Sequence, residues 1–220
     1  MGSWENQYIK LVETKPELIV AESDRETPEA SKGIIDQKKT LFDGIYVEIG
    51  SGSGMHLLKL AEQNPSILCI GLEIRFKRAF KTGEKAERAG LDNVLVSRMD
   101  ARYLAHLFNA GEVSGFFVNY PDPWDKRRWK KNRILNEEML GTMHSLLNNN
   151  GLLRYKTDHR EYFQSTAETL RSLPGWRIEK YTEDLISSEF MRDNIPTEFE
   201  GLFRSQNKPL HLLEALPVRA

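Results

Sequence analysis

The 220-residue sequence contains a single cysteine, Cys69, which excludes an internal disulfide framework and a cysteine-cluster zinc site. Its five histidines show no metal-ligand spacing, so no metal is expected. No apolar run approaches the roughly 20 residues that span a bilayer, and the opening MGSWENQY lacks the apolar core of a signal peptide; the expected location is cytoplasmic. Repeats and low-complexity segments are missing too. What is present, 40% hydrophobic and 29% charged residues, fits a soluble globular protein. At about 150 residues per domain the length suits one domain with an extension, large enough to bury a core without covalent staples.

No sign of charge prevails overall: 31 Lys and Arg stand against 32 Asp and Glu, for a formal net charge of −1. The distribution is uneven. Residues 122–133 carry six basic side chains and two acidic ones, whereas residues 1–44 carry six basic and nine acidic. A local reversal of sign marks an anionic partner or, more blandly, a solvated surface loop.

Residues 1–44 read as an N-terminal extension, irregular or partly helical, with no clean strand; residues 45–220 read as one domain. IYVEI (45–49) is an apolar, β-branched strand, and MHLLKLAEQ (55–63) has helical spacing. Strands are expected again at 66–73, 93–98, 115–120 and 151–157, with helices at 75–90, 101–108, 135–147 and 160–173. Weaker strands are expected at 176–181 and 211–216. This alternation predicts an α/β fold: a doubly wound, mainly parallel, Rossmann-like sheet. Ligands of such sheets bind beyond the carboxyl ends of the strands, and that is where the unusual residues fall.

VEIGSGSG (47–54) places Gly50, Gly52 and Gly54 between a strand and a helix, which allows a tight turn and close approach to a ligand at a helix N-terminus. Met55 stands where a nicotinamide fingerprint needs its last glycine, and no Gly-Lys-Ser/Thr follows, so dinucleotide and phosphate cradles are disfavoured. Glu48 would repel a phosphate but suits an ammonium or sulfonium charge. Glu73, closing the second strand, is placed to accept from ribose hydroxyls, and Asp100, after the third, from an adenine amine. Each acid is equally well explained as a helix N-cap. Together, at successive strand ends, they favour S-adenosylmethionine (AdoMet) and a methyltransferase.

NYPDPWDKRRWKKNR (119–133) follows the fourth strand. Pro121 and Pro123 set a rigid, non-helical loop around Asp122, with Tyr120 and Trp124 at the pocket mouth. Lys126, Arg127, Arg128, Lys130, Lys131 and Arg133 would hold phosphates while the aromatics face unstacked bases. The alternative makes the aromatics core and the cations surface decoration.

With EIGSGSG, the acidic strand ends, PDPW and its basic run, the Thr157-Asp158 pair and the late TEFE (197–200), the sequence resembles the bacterial tRNA (guanine-N7)-methyltransferase family over about residues 45–200. The resemblance implies a class I AdoMet-dependent methyltransferase fold and methylation of tRNA at a variable-loop guanine, position 46. It implies that Glu48, Glu73, Asp100 and Asp122 contact AdoMet, with Asp122 also near the chemistry. Lys126, Asp158, Thr197, Glu198, Phe199 and Glu200 would contact the substrate, the last four from a loop after Pro196 that folds over the pocket. Asp158 is equally a capping-box partner of Glu161. The chain departs from the family pattern at Trp129, usually His, at Asn132, usually Arg, and in its net acidic N-terminal segment. The rival readings are an RNA-binding module with a decayed AdoMet fold and a methyltransferase acting on another base or a small molecule.

Overall fold

A computed structural model describes residues 6–22 and 28–219. The chain runs through α1 (Tyr8–Val12), β1 (Ile19–Ala21), α2 (Glu29–Lys38), β2 (Gly44–Ile49), α3 (Met55–Gln63), β3 (Ile67–Leu72), α4 (Phe76–Ala89), β4 (Val94–Arg98) and β5 (Val113–Asn119). It continues through α5 (Glu137–Leu146), β6 (Leu147–Thr157), α6 (Arg160–Ser172), β7 (Trp176–Thr182), α7 (Glu198–Ser205) and β8 (His211–Pro217), with short 3₁₀ turns between.

The strands form one sheet in the order β1-β4-β3-β2-β5-β6-β8-β7. The six strands from β1 to β6 pair parallel, and β8 lies antiparallel between β6 and β7. The strand order reverses between β2 and β5, which opens the crevice beyond their carboxyl ends. Alternating side chains bury both faces: Leu68, Ile70 and Leu72 of β3 join one core with Leu95, Phe116 and Val118, while Cys69 joins the other with Val94, Val96 and Phe117. That period of two, with helices covering each face, is why these strands read as nearly continuous apolar runs.

Gly54 caps the start of α3 at φ 84°, in the left-handed region, and a Cβ there would stand 2.6 Å from Thr82 Cγ2. Gly90, also left-handed, closes α4 by donating its N–H to Ala86 and Glu87 carbonyls.

Three expectations change. The N-terminal segment contributes a strand: β1 pairs Ile19 with Val96 and Val20 with Ser97. Three residues at a sheet edge are too few to show periodicity. The basic run is not open loop but winds into a 3₁₀ turn, Arg127–Asn132. TEFE begins a helix: Thr197 caps α7, its Oγ1 accepting from Glu200 N at 3.3 Å.

Candidate active site

Glu48, next to last in β2, is buried, 3% exposed. Its Oε1 accepts from Asn119 Nδ2 at 2.9 Å, across the gap to β5. His56 Nδ1 lies 3.2 Å from the same oxygen without hydrogen-bond alignment. The other carboxylate oxygen, Oε2, has no hydrogen-bond partner among the described residues, nor do Ser51 Oγ and Asn119 Oδ1. Buried polar atoms are normally satisfied, so this group awaits a donor-rich ligand.

Glu73 follows β3 and reaches back into the glycine turn: Oε2 accepts from Gly52 N at 3.1 Å and Oε1 from Arg75 N at 2.8 Å. Burial raises its pKa, against those two N–H groups and the nearby Arg78 and Arg75. Asp100 follows β4, and its carboxylate takes Arg102 N and the Arg102 guanidinium, with Nη2 at 2.6 Å from Oδ2. Asp100 therefore has a cation at hand that an adenine amine would share or displace.

Glu73, Asp100 and Asp122 line one cavity of about 310 Å³ with Gly50, Met99, Asn119 and Phe199, at the low end of the ~300–1,000 Å³ typical of ligand pockets. Gly50, Asn119 and Phe199 also line an adjoining hollow of about 30 Å³ with Glu48, Ser51 and His56. A Cβ on Gly50 would meet nothing within 4 Å, so the backbone there borders open space. An acidic cavity beside an unsatisfied buried carboxylate oxygen fits a ligand with a cationic amine, a sulfonium and hydroxyl donors, as AdoMet has.

The Pro-flanked loop is strained at both ends: Tyr120 and Trp124 have φ of 49° and 47°. Bulky residues adopt that region only where surroundings enforce it, often at functional sites. Tyr120 packs inward against Phe203, ring centroids 5.3 Å apart, and burial beside the Glu200 and Asp158 charges pushes its hydroxyl pKa upward. Trp124 meets Trp129 edge-on at 6.1 Å, and Lys126 Nζ sits 4.6 Å over the Trp129 ring. Asp122 is exposed at the mouth.

The cations divide into two groups. Arg133 is 7% exposed, donates to Pro123 O at 2.8 Å and pairs with Glu161 Oε2 at 2.6 Å. Lys130 pairs with Glu161 Oε1 at 2.9 Å. Arg133 first and Lys130 second hold the Glu161 pKa down to about 2. Arg133 is thus buried and paired as a strut inside the loop. Lys126, Arg127, Arg128 and Lys131 face outward, and among the described residues Arg127 and Lys131 have no side-chain ion-pair partner.

The expected Asp158–Glu161 capping box does not form. His159 caps α6 instead, Nδ1 accepting from Tyr162 N at 3.1 Å, and Asp158 Oδ2 pairs with Lys208 at 3.3 Å. Glu200 is 2% exposed and turned away from the cavity toward Lys156 Nζ, 2.5 Å away; Asn194 Nδ2 donates to it at 2.7 Å. Burial lowers the Lys156 pKa, opposed by the Glu200 charge. Thr197 and Glu198 border the smaller hollow, and Phe199 borders both. Sequence reasoning placed Asn119 among the strand-end residues without giving it a role, and missed His56 and Lys156 as site builders; for Lys156, a lysine inside the apolar strand LLRYKT was the available signal.

Residues 43–213 match a family model described as "Putative methyltransferase". A tRNA (guanine-N(7)-)-methyltransferase of Lachnoclostridium phytofermentans is 36% identical over 188 residues, 86% of this chain and 87% of that protein. A bifunctional glycosyltransferase/methyltransferase of Fusobacterium nucleatum is 34% identical over 95% of this chain, which spans 32% of that longer protein. Among solved structures, the 16S rRNA methyltransferase KamB superposes with a TM-score of 0.62 at 18% identity, covering 85% of this chain and 94% of that one; a likeness at that identity speaks for the fold.

Proposed function

The chain belongs to the tRNA (guanine-N7)-methyltransferase family, and from that premise we propose that it transfers a methyl group from AdoMet to N7 of a guanine in the variable loop of tRNA, at position 46. The observation that carries this reading is the juxtaposition at the β2–β5 switch point. One cavity is lined by Glu73, Asp100 and Asp122 together with Trp124 and Asn132, which bracket the outward cations in sequence, and Glu48 opens on the adjoining hollow.

Bound AdoMet supplies a methyl group made electrophilic by its sulfonium. Guanine N7 carries a lone pair and no proton, so the chain needs no general base. Its residues must orient the base in line and stabilise positive charge as it moves onto the ring. Glu48 and Asn119 would hold the amino-acid end of the donor, Glu73 the ribose and Asp100 the adenine. Asp122, exposed at the mouth, is the anion placed to face the guanine as it becomes cationic. Phe199, on the rim of both hollows, offers its ring to a splayed base. Lys126, Arg127, Arg128 and Lys131 position phosphates and carry no sequence information. A cytoplasmic location fits a tRNA substrate.

The test is incubation with labelled AdoMet and bulk tRNA, followed by chain scission at N7-methylated guanine. Label at one variable-loop guanine supports the reading. Label elsewhere, or none with AdoMet bound, overturns it.

A further inference from the structure

The first turn of α6 holds the Pro-flanked loop from both sides. Upstream of the 3₁₀ turn, Asp125 Oδ1 lies 2.6 Å from His159 Nε2. Lys130 within the turn and Arg133 just after it grip Glu161; farther downstream Leu135 N donates to the Tyr162 hydroxyl at 2.9 Å, and the Arg133 guanidinium lies 4.5 Å over the Tyr162 ring. Residues 159, 161 and 162 thus fasten both ends of a segment that carries every outward cation of the basic run.

His159 uses both ring nitrogens. Nδ1 accepts the Tyr162 N–H that caps the helix, which assigns the ring proton of the neutral imidazole to Nε2, 2.6 Å from Asp125 Oδ1 though not in hydrogen-bond alignment. The ring therefore converts the start of α6, rigidly joined to the end of β6, into a fixed point for the loop. We propose that His159 is a positioning residue for substrate: through Asp125 it sets where the outward cations and Trp129 stand relative to the cavity.

The pair is solvent-exposed on the Asp125 side, 68%, so it adds little to global stability; its effect is on where the loop sits. Charge alone argues the other way. Asp125 is an acid in a basic loop, and removing it should tighten a polyanion. The positioning role predicts the opposite sign, which makes the two separable.

The activity arm of the test rests on the tRNA reading above; the proteolysis arm does not. His159→Asn keeps an N-capping oxygen but is too short to reach Asp125. Asp125→Asn keeps an acceptor for His159, and Asp125→Ala removes it. Asp125→Ala and His159→Asn should each raise KM for tRNA about tenfold, as loss of positioning does, with AdoMet affinity unchanged. The double variant should be no worse than either single, and Asp125→Asn should stay near wild type. On the free protein, trypsin cleavage within residues 126–133 should accelerate in the same variants while the melting temperature holds. A lower KM in Asp125→Ala, or singles that multiply in the double, overturns the positioning role. Unchanged loop cleavage in Asp125→Ala overturns the clamp even if wild-type protein methylates no tRNA.

Discussion

Glu48, Glu73 and Asp100 close three adjacent parallel strands, whereas the outward cations leave the fourth strand, β5, on a loop fastened by side chains from α6. On the donor side the backbone ladder places the acids: β2 and β3 pair from Gly44 with Ile67 to Ile49 with Leu72, so their ends are level by construction. On the target side, Arg133, Lys130 and Asp125 depend on Glu161 and His159, about thirty residues along the chain, and Glu200 depends on Lys156, 44 residues away. A strand end is rigid for the price of a sheet that exists anyway. A loop held by ion pairs can be re-aimed by one substitution, which suits the side that must accept a large, shaped RNA.

The largest break in that contrast should come from the buried pair beneath α7. Lys156 is 0% exposed and donates to Glu200, to Asn194 Oδ1 at 2.9 Å and to Ile195 O at 2.7 Å. Lys156→Ala leaves a buried carboxylate unpaired and should cost about 3–5 kcal/mol in urea unfolding. Lys156→Met with Glu200→Leu should recover most of it, since well-packed apolar replacements of buried pairs are commonly neutral. A double variant as unstable as the single would mean that the polar contacts to Asn194 and Ile195, not the charge pair, fasten this segment.

Asp122 tests whether the two sides meet where proposed. Asp122→Asn keeps shape and removes charge, and single-turnover transfer at saturating AdoMet and tRNA should slow by about 2 kcal/mol, roughly thirtyfold. AdoMet affinity should change far less. A parent rate would place the stabilising anion elsewhere in the cavity.

How much was legible in the sequence follows the same division. The fold, the glycine turn between β2 and α3, and the acids at strand ends could be read because each depends on residues close in sequence and on period-two burial. Their cavity followed from the carboxyl-end rule. What escaped depends on long-range pairing. Nothing local distinguishes Arg133 from Lys131, yet one is a buried strut and the other faces solvent. Glu161 looked like a capping residue because Asp158 stood three positions earlier, but His159 took the cap and released Glu161 to the loop. The helix at TEFE was hidden by Pro196, which reads as a breaker, although Thr197 after it is a good N-cap. β1 was too short for any pattern to show.

The division of cations sharpens the comparison further. Arg127→Ala with Lys131→Ala should lower the salt dependence of tRNA binding by about 1.5 in log–log slope, near the 0.7–0.9 per phosphate contact, with affinity down about tenfold. Arg133→Ala should leave the slope almost untouched and instead loosen the loop to proteolysis. Equal slopes lost from all three positions would show that the strut opens to reach phosphate when tRNA arrives.

The smallest expected effect is a pH dependence at the target-side anchor. The Glu161 pKa is held at about 2 by Arg133 and Lys130, against an ordinary 4.5. A depressed carboxylate contributes stability that is complete above the ordinary value and lost as pH falls toward the folded one, so the window is about pH 4.5 to 2. The side chain is 51% exposed, and solvent screening reduces the contribution to under about 1 kcal/mol. Compared by urea unfolding, wild type should exceed Glu161→Gln by that margin at pH 6, and the gap should shrink by pH 3 and close only near pH 2 and below as the folded carboxylate protonates. A gap that persists unchanged at pH 3 would assign the anchoring to Arg133 packed against Tyr162 and bonded to Pro123 O rather than to its charge pairing, and the loop would then be held by shape, as the strand ends are.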